Sequence, residues 1–283
     1  MAFRPRPLLL VIVIALLIAL NAAIVYAFIE SERRTLRVSF LDVGQGDAIL
    51  IESPDGVELL IDGGRDRSVL RRLPRVMGPL DRSIDMVIAT HPDADHIGGL
   101  PDVLSRYRVS YYLSPGIRHD TSQRERLDAA VAREGIATFT ARRGQRIHLG
   151  EDVYADVLYP DRDVANGETN AGSIVVRLVY GDTSFLLTGD APEAVERYVM
   201  TLGDVDSDVL KAGHHGSRTS TSESWLAAVS PETVVISAGK DNAYGHPHAE
   251  VVSRIQESGA AILSTIDEGT IIFESDGGRI VRK

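Results

Sequence analysis

One loop, residues 89–99, constrains this chain more than any other stretch: it reads Ala-Thr-His-Pro-Asp-Ala-Asp-His-Ile-Gly-Gly. An apolar, strand-like run precedes it, and a helix-like segment begins near Leu100. The loop contains four residues of metal-binding type, namely His91, Asp93, Asp95 and His96. Alternate residues of an extended segment point to one side, so the first three can face a common centre while His96 turns into the helix. Gly98 and Gly99 would let the backbone pass close to a bound group. The pattern predicts a metal site.

The loop resembles the metal-binding motif of the metallo-β-lactamase superfamily, His-x-His-x-Asp-His, with Asp93 in place of the second histidine. That variant is familiar from the extracellular hydrolase domain of ComEC-type DNA-internalisation competence proteins. Three further stretches resemble the same domain: Phe-Leu-Asp-Val-Gly-Gln-Gly-Asp-Ala at 40–48, Phe-Leu-Leu-Thr-Gly-Asp at 185–190 and Asn-Ala-Tyr-Gly-His-Pro at 242–247. The resemblance covers residues 36–283 and implies an α/β fold, the four-layer αββα sandwich of that superfamily.

The resemblance also implies a set of metal ligands. His91 and Asp93 would hold one divalent ion, and a second set would hold the other: Asp95, His96 and His214. Asp190 would bridge the two ions, although an aspartate before a helix can also be its N-cap. Neighbouring side chains diverge, so only one of the pair His214–His215 can usually ligate a given ion. The resemblance favours His214, from its place after Gly213 in the superfamily pattern.

Other residues are placed at or near the site by the same resemblance. The catalytic set would be Asp95, Asp190 and His246. The residues that would support the ligands or face the substrate are Asp47, Asp62, Asn170, Ser173, Lys211, His215 and Ser217. For Asp47 and Asp62, ordinary turn chemistry is an equal alternative. Lys211 and the loop 217–222 would either meet a phosphate or be solvated.

Two features bear on the metal ions themselves. Asn170 and Ser173 match the family's Asn-x-x-Ser phrase, at a place where other superfamily members supply a further histidine. One of the two metal positions is therefore short of an imidazole, and its occupancy stays open. Asp93 replaces an imidazole with a carboxylate, which is a harder and more anionic ligand. Such a ligand suits Mn²⁺ or Mg²⁺, with Zn²⁺ as the alternative.

Composition limits the classes of function. The 283 residues suffice for one large domain, and the absence of cysteine excludes disulfides and thiolate metal sites. A net charge of −10 argues against a protein that coats nucleic acid, but bound divalent cations would reverse the local field of a nuclease site.

The first 29 residues are predicted to be a transmembrane anchor or a signal peptide, and residues 30–35 a linker. Residues 7–29 contain no charged side chain and are long enough to span a hydrocarbon core of roughly 20 residues. The apolar run continues to Ile29, which favours an uncleaved anchor over a cleaved signal. Both interpretations place the domain outside the membrane: membrane-anchored in the first case, secreted in the second. Arg33 and Arg34 weaken the charge bias that would orient the span.

The expected function is metal-dependent hydrolysis by a metal-activated water, with DNA as the substrate that the resemblance implies. Two alternatives stay open: a hydrolase of small esters, lactams or thioesters, and a DNA-uptake module that binds without catalysis. No multi-span channel accompanies the domain in this sequence, so a separate DNA-uptake channel protein is a further expected partner.

The remaining polar clusters have ordinary explanations. His119 and His148 lack neighbouring ligand-type residues and are expected to be surface histidines. Five arginines after Gly64 fit a solvated helix face, with a phosphate-facing rim as the alternative: Arg65, Arg67, Arg71, Arg72 and Arg75. Trp225 is expected in the core.

Overall fold

The structure is a computed structural model, and it describes residues 7–32, 35–78 and 80–283. The strands are β1 (Leu36–Phe40), β2 (Ile49–Glu52), β3 (Glu58–Ile61), β4 (Ser83–Ile88), β5 (Arg108–Ser114), β6 (Ala137–Thr140), β7 (Arg146–His148), β8 (Val153–Tyr159), β9 (Val175–Tyr180), β10 (Thr183–Leu187), β11 (Val209–Lys211), β12 (Thr233–Ile236), β13 (Ala261–Ser264), β14 (Ile271–Ser275) and β15 (Ile280–Arg282). The α-helices are α1 (Pro7–Glu32), α2 (Val69–Val76), α3 (Ala94–Ile97), α4 (Leu100–Leu104), α5 (Ser122–Glu134), α6 (Glu193–Leu202), α7 (Glu223–Val229), α8 (Ala249–Glu257) and α9 (Thr265–Glu268).

The strands form two mixed sheets. Within the described residues, the first sheet has eight strands in the order β15-β14-β1-β2-β3-β4-β5-β6, and the second has seven in the order β13-β12-β11-β10-β9-β8-β7. Strands β3 to β6 run parallel in the first sheet, and β10 to β13 run parallel in the second. The other neighbouring strands are antiparallel.

Three apolar cores show how the layers stack. The middle core joins both sheets, and Phe273 packs edge-on at 6.0 Å against both Phe40 and Phe185. The second core covers the outer face of the first sheet with residues of α2 to α5. The third core covers the outer face of the second sheet with residues of α6 to α8, including the buried Trp225. Helix, sheet, sheet and helix therefore form four layers, which confirms the predicted αββα architecture.

The sheets bring the predicted site loops to one edge. Parallel strands end at a common edge, where loops following different strands meet. Asp62 follows β3 and the metal loop follows β4, while Asp190, the His214–His215 pair and the 238–248 loop follow β10, β11 and β12.

The metal loop differs in detail from the prediction. Asp95 lies in the first turn of α3, whose N-cap is Asp93, and so is not on an extended segment. Gly98 and Gly99 are needed for packing against the neighbouring loop and not only for access to a bound group. A Cβ on Gly98 would lie 2.1 Å from the Arg65 carbonyl oxygen, and one on Gly99 would lie 2.2 Å from that of Gly63.

Helix α1 stands apart from the layers. Its segment Leu9–Tyr26 has a mean hydropathy of 2.9, is 0% buried, and is long and apolar enough to cross a membrane. The helix continues to Glu32, so the first half of the predicted linker is helical, and residues 33 and 34 lie outside the described residues. After Gly64, two of the arginines form ion pairs: Arg67, which is largely exposed, pairs with Asp102, and Arg72 pairs with Asp42.

Candidate metal centre

Asp190 is the hub of the site. Four imidazole Nε2 atoms surround its buried Oδ2: those of His96 at 3.3 Å, His215 at 3.4 Å, His214 at 3.6 Å and His91 at 3.9 Å. The N-cap of α6 is Pro192, so the capping role considered for Asp190 is not the one that the structure shows. A carboxylate oxygen among four imidazole nitrogens is suited to bridging metal ions.

Asp62 orients two of these histidines. Its Oδ2 accepts a hydrogen bond from His96 Nδ1 at 2.8 Å and another from the Thr90 hydroxyl at 2.7 Å. The Thr90 oxygen lies 3.0 Å from His91 Nδ1, so it can accept from that nitrogen while its own proton goes to Asp62. When neutral, both rings then carry their proton on Nδ1 and present the Nε2 lone pair to the centre, as metal-ligating histidines do. Asp62 has a positive φ of 60° at the end of β3, which aims its carboxylate into this network.

His215 has the same kind of orientation. Its Nδ1 donates to the Ser237 carbonyl oxygen at 2.9 Å, and its Nε2 lies 3.4 Å from Asp95 Oδ2 and 3.3 Å from His96 Nε2. The side chain is completely buried. His215 therefore faces the same centre as His96 and could hold a metal ion, whereas the sequence placed it among the supporting or substrate-facing residues.

Both adjacent histidines face the centre, which is compatible with the expectation that only one of them ligates a given ion. Residues His214 and His215 both have left-handed backbone angles, with φ of 49° and 56°. This backbone conformation directs both Nε2 atoms toward Asp190. His214 stays partly exposed, at 26% of its side chain, and its Nδ1 lies 3.3 Å from the Thr219 hydroxyl. Thr219 in turn contacts the Ser217 hydroxyl at 3.1 Å, which places Ser217 beside this ligand.

Lys211 and Asp47 form the floor of the site. Lys211 is completely buried, and its Nζ lies 2.5 Å from Asp47 Oδ2 and 3.6 Å from Asp190 Oδ1. It also donates to the Gly189 carbonyl oxygen at 3.0 Å. Lys211 is therefore not solvated, and its contacts with Asp47 and Asp190 fit a role in supporting the ligands, one of the roles considered for it. Its charge offsets that of two buried carboxylates.

Asp93 lies at the open side of the centre. Its Oδ2 is 3.7 Å from His91 Nε2, its side chain is 31% exposed, and the Thr169 side chain hydrogen-bonds to it. His119 Nε2 lies 4.0 Å from Asp93 Oδ1. The His119 side chain is 35% exposed, as a surface histidine can be, and the sequence did not indicate its proximity to Asp93. His119 lies on the 115–121 loop, where the Arg118 N–H bonds to the Ala165 carbonyl oxygen. His148 is exposed, as predicted.

The Asn170–Gly172 turn lies beside Asp190. Ser173 is buried, and its hydroxyl accepts a hydrogen bond from the Asp190 N–H at 3.3 Å. Asn170 Oδ1 is buried without a hydrogen-bond partner in the described part of the chain. These contacts give Ser173 a supporting role toward Asp190.

His246 borders the histidine cluster. Its ring centroid is 5.4 Å from that of His214 and 6.2 Å from that of His215. Burial and the neighbouring histidines lower the pKa of His246 to about 4, so the ring is neutral at pH 7. The adjacent His248 ring lies 5.0 Å from the His246 ring, further from the centre.

The charges of the metal-free site are tightly coupled. Burial alone disfavours a charged imidazole, but Asp190 together with Asp62 raises the pKa of His96 well above its usual value. Asp190 together with Asp47 does the same for His215. Burial and the charge of His96 lower the pKa of His91. The metal-free protein thus holds protons where cations would bind.

The donor atoms fit metal ions. Asp47, His96, Asp190 and His215 each offer one ligand atom within 4.8 Å of the others, and all four residues are buried. Among the described residues, the buried atoms of the site that lack a hydrogen-bond partner include Asp47 Oδ1, His91 Nε2, Asn170 Oδ1, Asp190 Oδ1 and His246 Nδ1. His91 Nε2 lies 3.9 Å from Asp190 Oδ2 and 3.7 Å from Asp93 Oδ2, and buried polar atoms are rarely left unpaired, so a metal ion held by these residues would complete it.

Comparison with known proteins agrees with this geometry. A family model described as the metallo-beta-lactamase superfamily matches residues 41–240, which include the metal loop, Asp190 and the His214–His215 pair. The chain belongs to the metallo-beta-lactamase superfamily.

Relatives of this superfamily member include competence proteins, which confirms the resemblance to ComEC-type proteins. The chain is 31% identical over 267 residues to ComE operon protein 3 of Bacillus subtilis, and 32% identical over 249 residues to Recombination protein 2 of Haemophilus influenzae. It is 30% identical over 244 residues to Competence protein ComA of Neisseria gonorrhoeae. These alignments cover 88%, 86% and 83% of this chain but only 34%, 29% and 32% of the relatives, so the chain spans about a third of their length.

Solved structures show the same fold. The metallo-beta-lactamase fold protein YhfI of Bacillus subtilis has a TM-score of 0.57 at 12% identity, covering 85% of this chain and 100% of that one. Igni18, a metallo hydrolase of Ignicoccus hospitalis, has a TM-score of 0.54 at 16% identity, covering 85% and 99%. At these identities the likeness concerns the fold alone.

Proposed function

We propose that this superfamily member is a metal-dependent phosphodiesterase that cleaves DNA outside the membrane. The observation that carries the proposal is the position of Asp190 Oδ2 among four imidazole nitrogens at 3.3 to 3.9 Å. Such a carboxylate can join two divalent cations, the arrangement that suits in-line displacement at phosphorus. The competence proteins among its relatives support DNA as the substrate.

The ligand positions suggest how two ions would be held. Asp95, His96 and His215 would hold one ion, and Asp190 would lie between it and the second. His91, Asp93 and His214 would hold the second ion, so His214 would supply the imidazole that Asn170 does not. The carboxylates on both sides favour Mn²⁺ as well as Zn²⁺.

The chain's own residues would each perform a defined task in hydrolysis. Bound divalent ions would supply an acidified water and would stabilise negative charge on the phosphate oxygens. Asp62 and the Ser237 carbonyl keep the imidazole lone pairs directed inward, and Lys211 keeps Asp47 ionised beneath them. His246, neutral at pH 7 and beside His214, would take part on the substrate side.

The location outside the membrane is part of the proposal. Helix α1 would anchor the chain, with secretion after signal cleavage as the alternative and a separate channel protein as a partner for DNA uptake. Protease added to intact cells should then remove the folded domain. A domain that survives on intact cells but is digested after lysis would contradict the outward orientation.

The activity is tested by incubating the metal-stripped full chain in detergent with end-labelled DNA, with and without Mn²⁺ or Zn²⁺. Cleavage that requires the cation and stops with a chelator supports the proposal. Metal binding with hydrolysis only of small esters, lactams or thioesters would favour the small-molecule alternative. DNA binding without any hydrolysis would favour a non-catalytic module.

A further inference from the structure

The loop that carries His246 also presents an exposed aromatic ring beside the metal centre. Tyr244 is 56% exposed, one of the few large apolar side chains of residues 35–78 and 80–283 with that degree of exposure. Its ring stacks on the His246 ring, with centroids 5.6 Å apart and planes at 20°. His246 in turn lies 5.4 Å, ring to ring, from His214, whose Nε2 faces Asp190. The Tyr244 ring is thus two ring contacts from His214, which contacts Asp190.

The backbone of this loop is firmly held, so the ring has a defined position. The Asn242 side-chain oxygen accepts from the N–H groups of Tyr244 at 3.1 Å and His246 at 3.0 Å. The Asn242 amide donates to the carbonyl oxygens of Gly239 at 2.9 Å and His246 at 2.5 Å. Gly245 has a φ of 72°, which lets the chain turn between the two aromatic residues. One asparagine therefore fixes the tyrosine and the histidine as a unit.

The exposed ring is better explained by a ligand than by packing. One face of Tyr244 is against His246, so its solvent-exposed part is the face turned away from that ring. A half-exposed tyrosine held by a rigid turn offers a large flat apolar surface at little cost in conformational entropy. Beside a phosphodiesterase centre, the matching flat group is a nucleobase, since every base has a π-face that stacks on an aromatic side chain.

We propose that Tyr244 is a stacking platform for an unpaired nucleobase next to the scissile phosphate, so that the substrate is single-stranded DNA or a frayed end. The inference rests on the proposed function and adds the form of the substrate. Bases inside a duplex are stacked on both faces and cannot offer one to Tyr244. The preference for unpaired DNA would come from base stacking, so it would not depend on the base sequence.

Binding tests the inference independently of hydrolysis. The probe is a fluorescein-labelled single-stranded oligonucleotide with phosphorothioate linkages, and its partner has the same backbone with abasic positions throughout. Base–aromatic stacking contributes about 1–3 kcal/mol per base, so Tyr244→Ala in the full chain should weaken binding of the first probe by about 5- to 150-fold. Tyr244→Phe should retain binding, because it keeps the ring and loses only the hydroxyl.

The abasic probe and a control variant make the result specific. The wild type should bind the abasic probe as weakly as Tyr244→Ala binds the complete one, and Tyr244→Ala should weaken abasic binding no further. Tyr111, on β5 and 45% exposed, provides a matched control, and Tyr111→Ala should bind both probes like the wild type. Equal losses for both probes in Tyr244→Ala, or no loss for either, would overturn the inference.

The two proposals fail in different ways. Loss of binding confined to the complete probe, with no cleavage of any DNA, would support the stacking platform and contradict the phosphodiesterase. DNA cleavage with no effect of Tyr244→Ala on either probe would contradict the platform alone.

Discussion

Asp62→Asn tests the orientation of the metal ligands most sharply. Asp62 Oδ2 accepts hydrogen bonds from His96 Nδ1 at 2.8 Å and the Thr90 hydroxyl at 2.7 Å, and Oδ1 accepts from the Thr90 N–H at 2.8 Å. All these partners are donors, but asparagine has only one acceptor oxygen and a donating amide. If the amide faces His96, Nδ1 must become the acceptor, and the ring proton then moves to Nε2, which faces the centre. If the side-chain amide is rotated by 180°, its NH₂ group faces the Thr90 N–H, which is also a hydrogen-bond donor.

The size of the effect follows from these contacts. Loss of a group that orients a ligating histidine typically costs about 10- to 100-fold in metal affinity, which equals about 1.4–2.7 kcal/mol. A hydrogen-bond donor that faces another donor lowers the free energy of unfolding of the metal-free protein by about 1–3 kcal/mol. The backbone adds no strain, since asparagine tolerates the positive φ of 60° at this position. The variant should therefore fold and yet bind metal weakly.

The assay is competition for Zn²⁺ or Mn²⁺ with a chromophoric chelator, together with thermal melting of the metal-free protein. Asp208→Asn is a matched control, because Asp208 Oδ2 accepts from the Ser184 N–H at 2.7 Å, between neighbouring strands of the second sheet and away from the histidine cluster. Thr90→Val removes the hydrogen-bond partner of His91 but leaves the Asp62–His96 bond. Its loss of metal affinity should therefore be smaller than that of Asp62→Asn. Wild-type metal affinity in Asp62→Asn would refute the reasoning.

Three more perturbations follow from the site and the core. Asp190→Asn should lower the content of both ions and the rate of hydrolysis by about 10²- to 10⁴-fold, with little change in metal-free melting; full activity would remove Asp190 from the centre. Asp93→His should shift metal preference toward Zn²⁺, measured as the relative affinities for Zn²⁺ and Mn²⁺, and an unchanged ratio would place Asp93 outside the ligand set. Burial and nearby carboxylates raise the pKa of Glu58 to about 8. The folded protein therefore keeps a proton that the unfolded chain releases near pH 4.5. The free energy of unfolding should then fall as pH rises from about 4.5 to 8. Glu58→Gln should flatten that decline and raise the melting temperature at pH 8 but not at pH 4, and an unchanged slope would contradict the burial argument.

Local pattern was sufficient to predict much of the fold. The alternating run 153–159 predicts β8 with its observed bounds, Val153–Tyr159, because its odd-numbered residues all face a core. The helical periodicity of residues 121–134 predicts α5, which spans Ser122–Glu134, and it predicts Thr121 as the N-cap, whose hydroxyl accepts from the Arg124 N–H. The short strand β15, at the edge of the first sheet, was missed because it is mostly exposed and has little apolar pattern.

The parts of the site that sequence reasoning missed depend on tertiary contacts. His119 reaches Asp93 through a loop whose position is fixed by a bond to Ala165, which no local pattern indicates. Two successive left-handed residues turn both His214 and His215 inward, and non-glycine residues rarely adopt that conformation. The buried ion pair of Lys211 could have been predicted from the sequence, because a lone lysine in an apolar strand needs a buried counter-charge.

A titration of the metal-stripped chain with Mn²⁺, following bound metal and cleavage of single-stranded DNA in the same samples, tests the central claim most directly. The account predicts two ions bound per chain, with cleavage appearing mainly as the second ion binds. Full cleavage at one ion per chain would contradict the two-metal centre, and cleavage that persists in a chelator would contradict metal-dependent hydrolysis altogether.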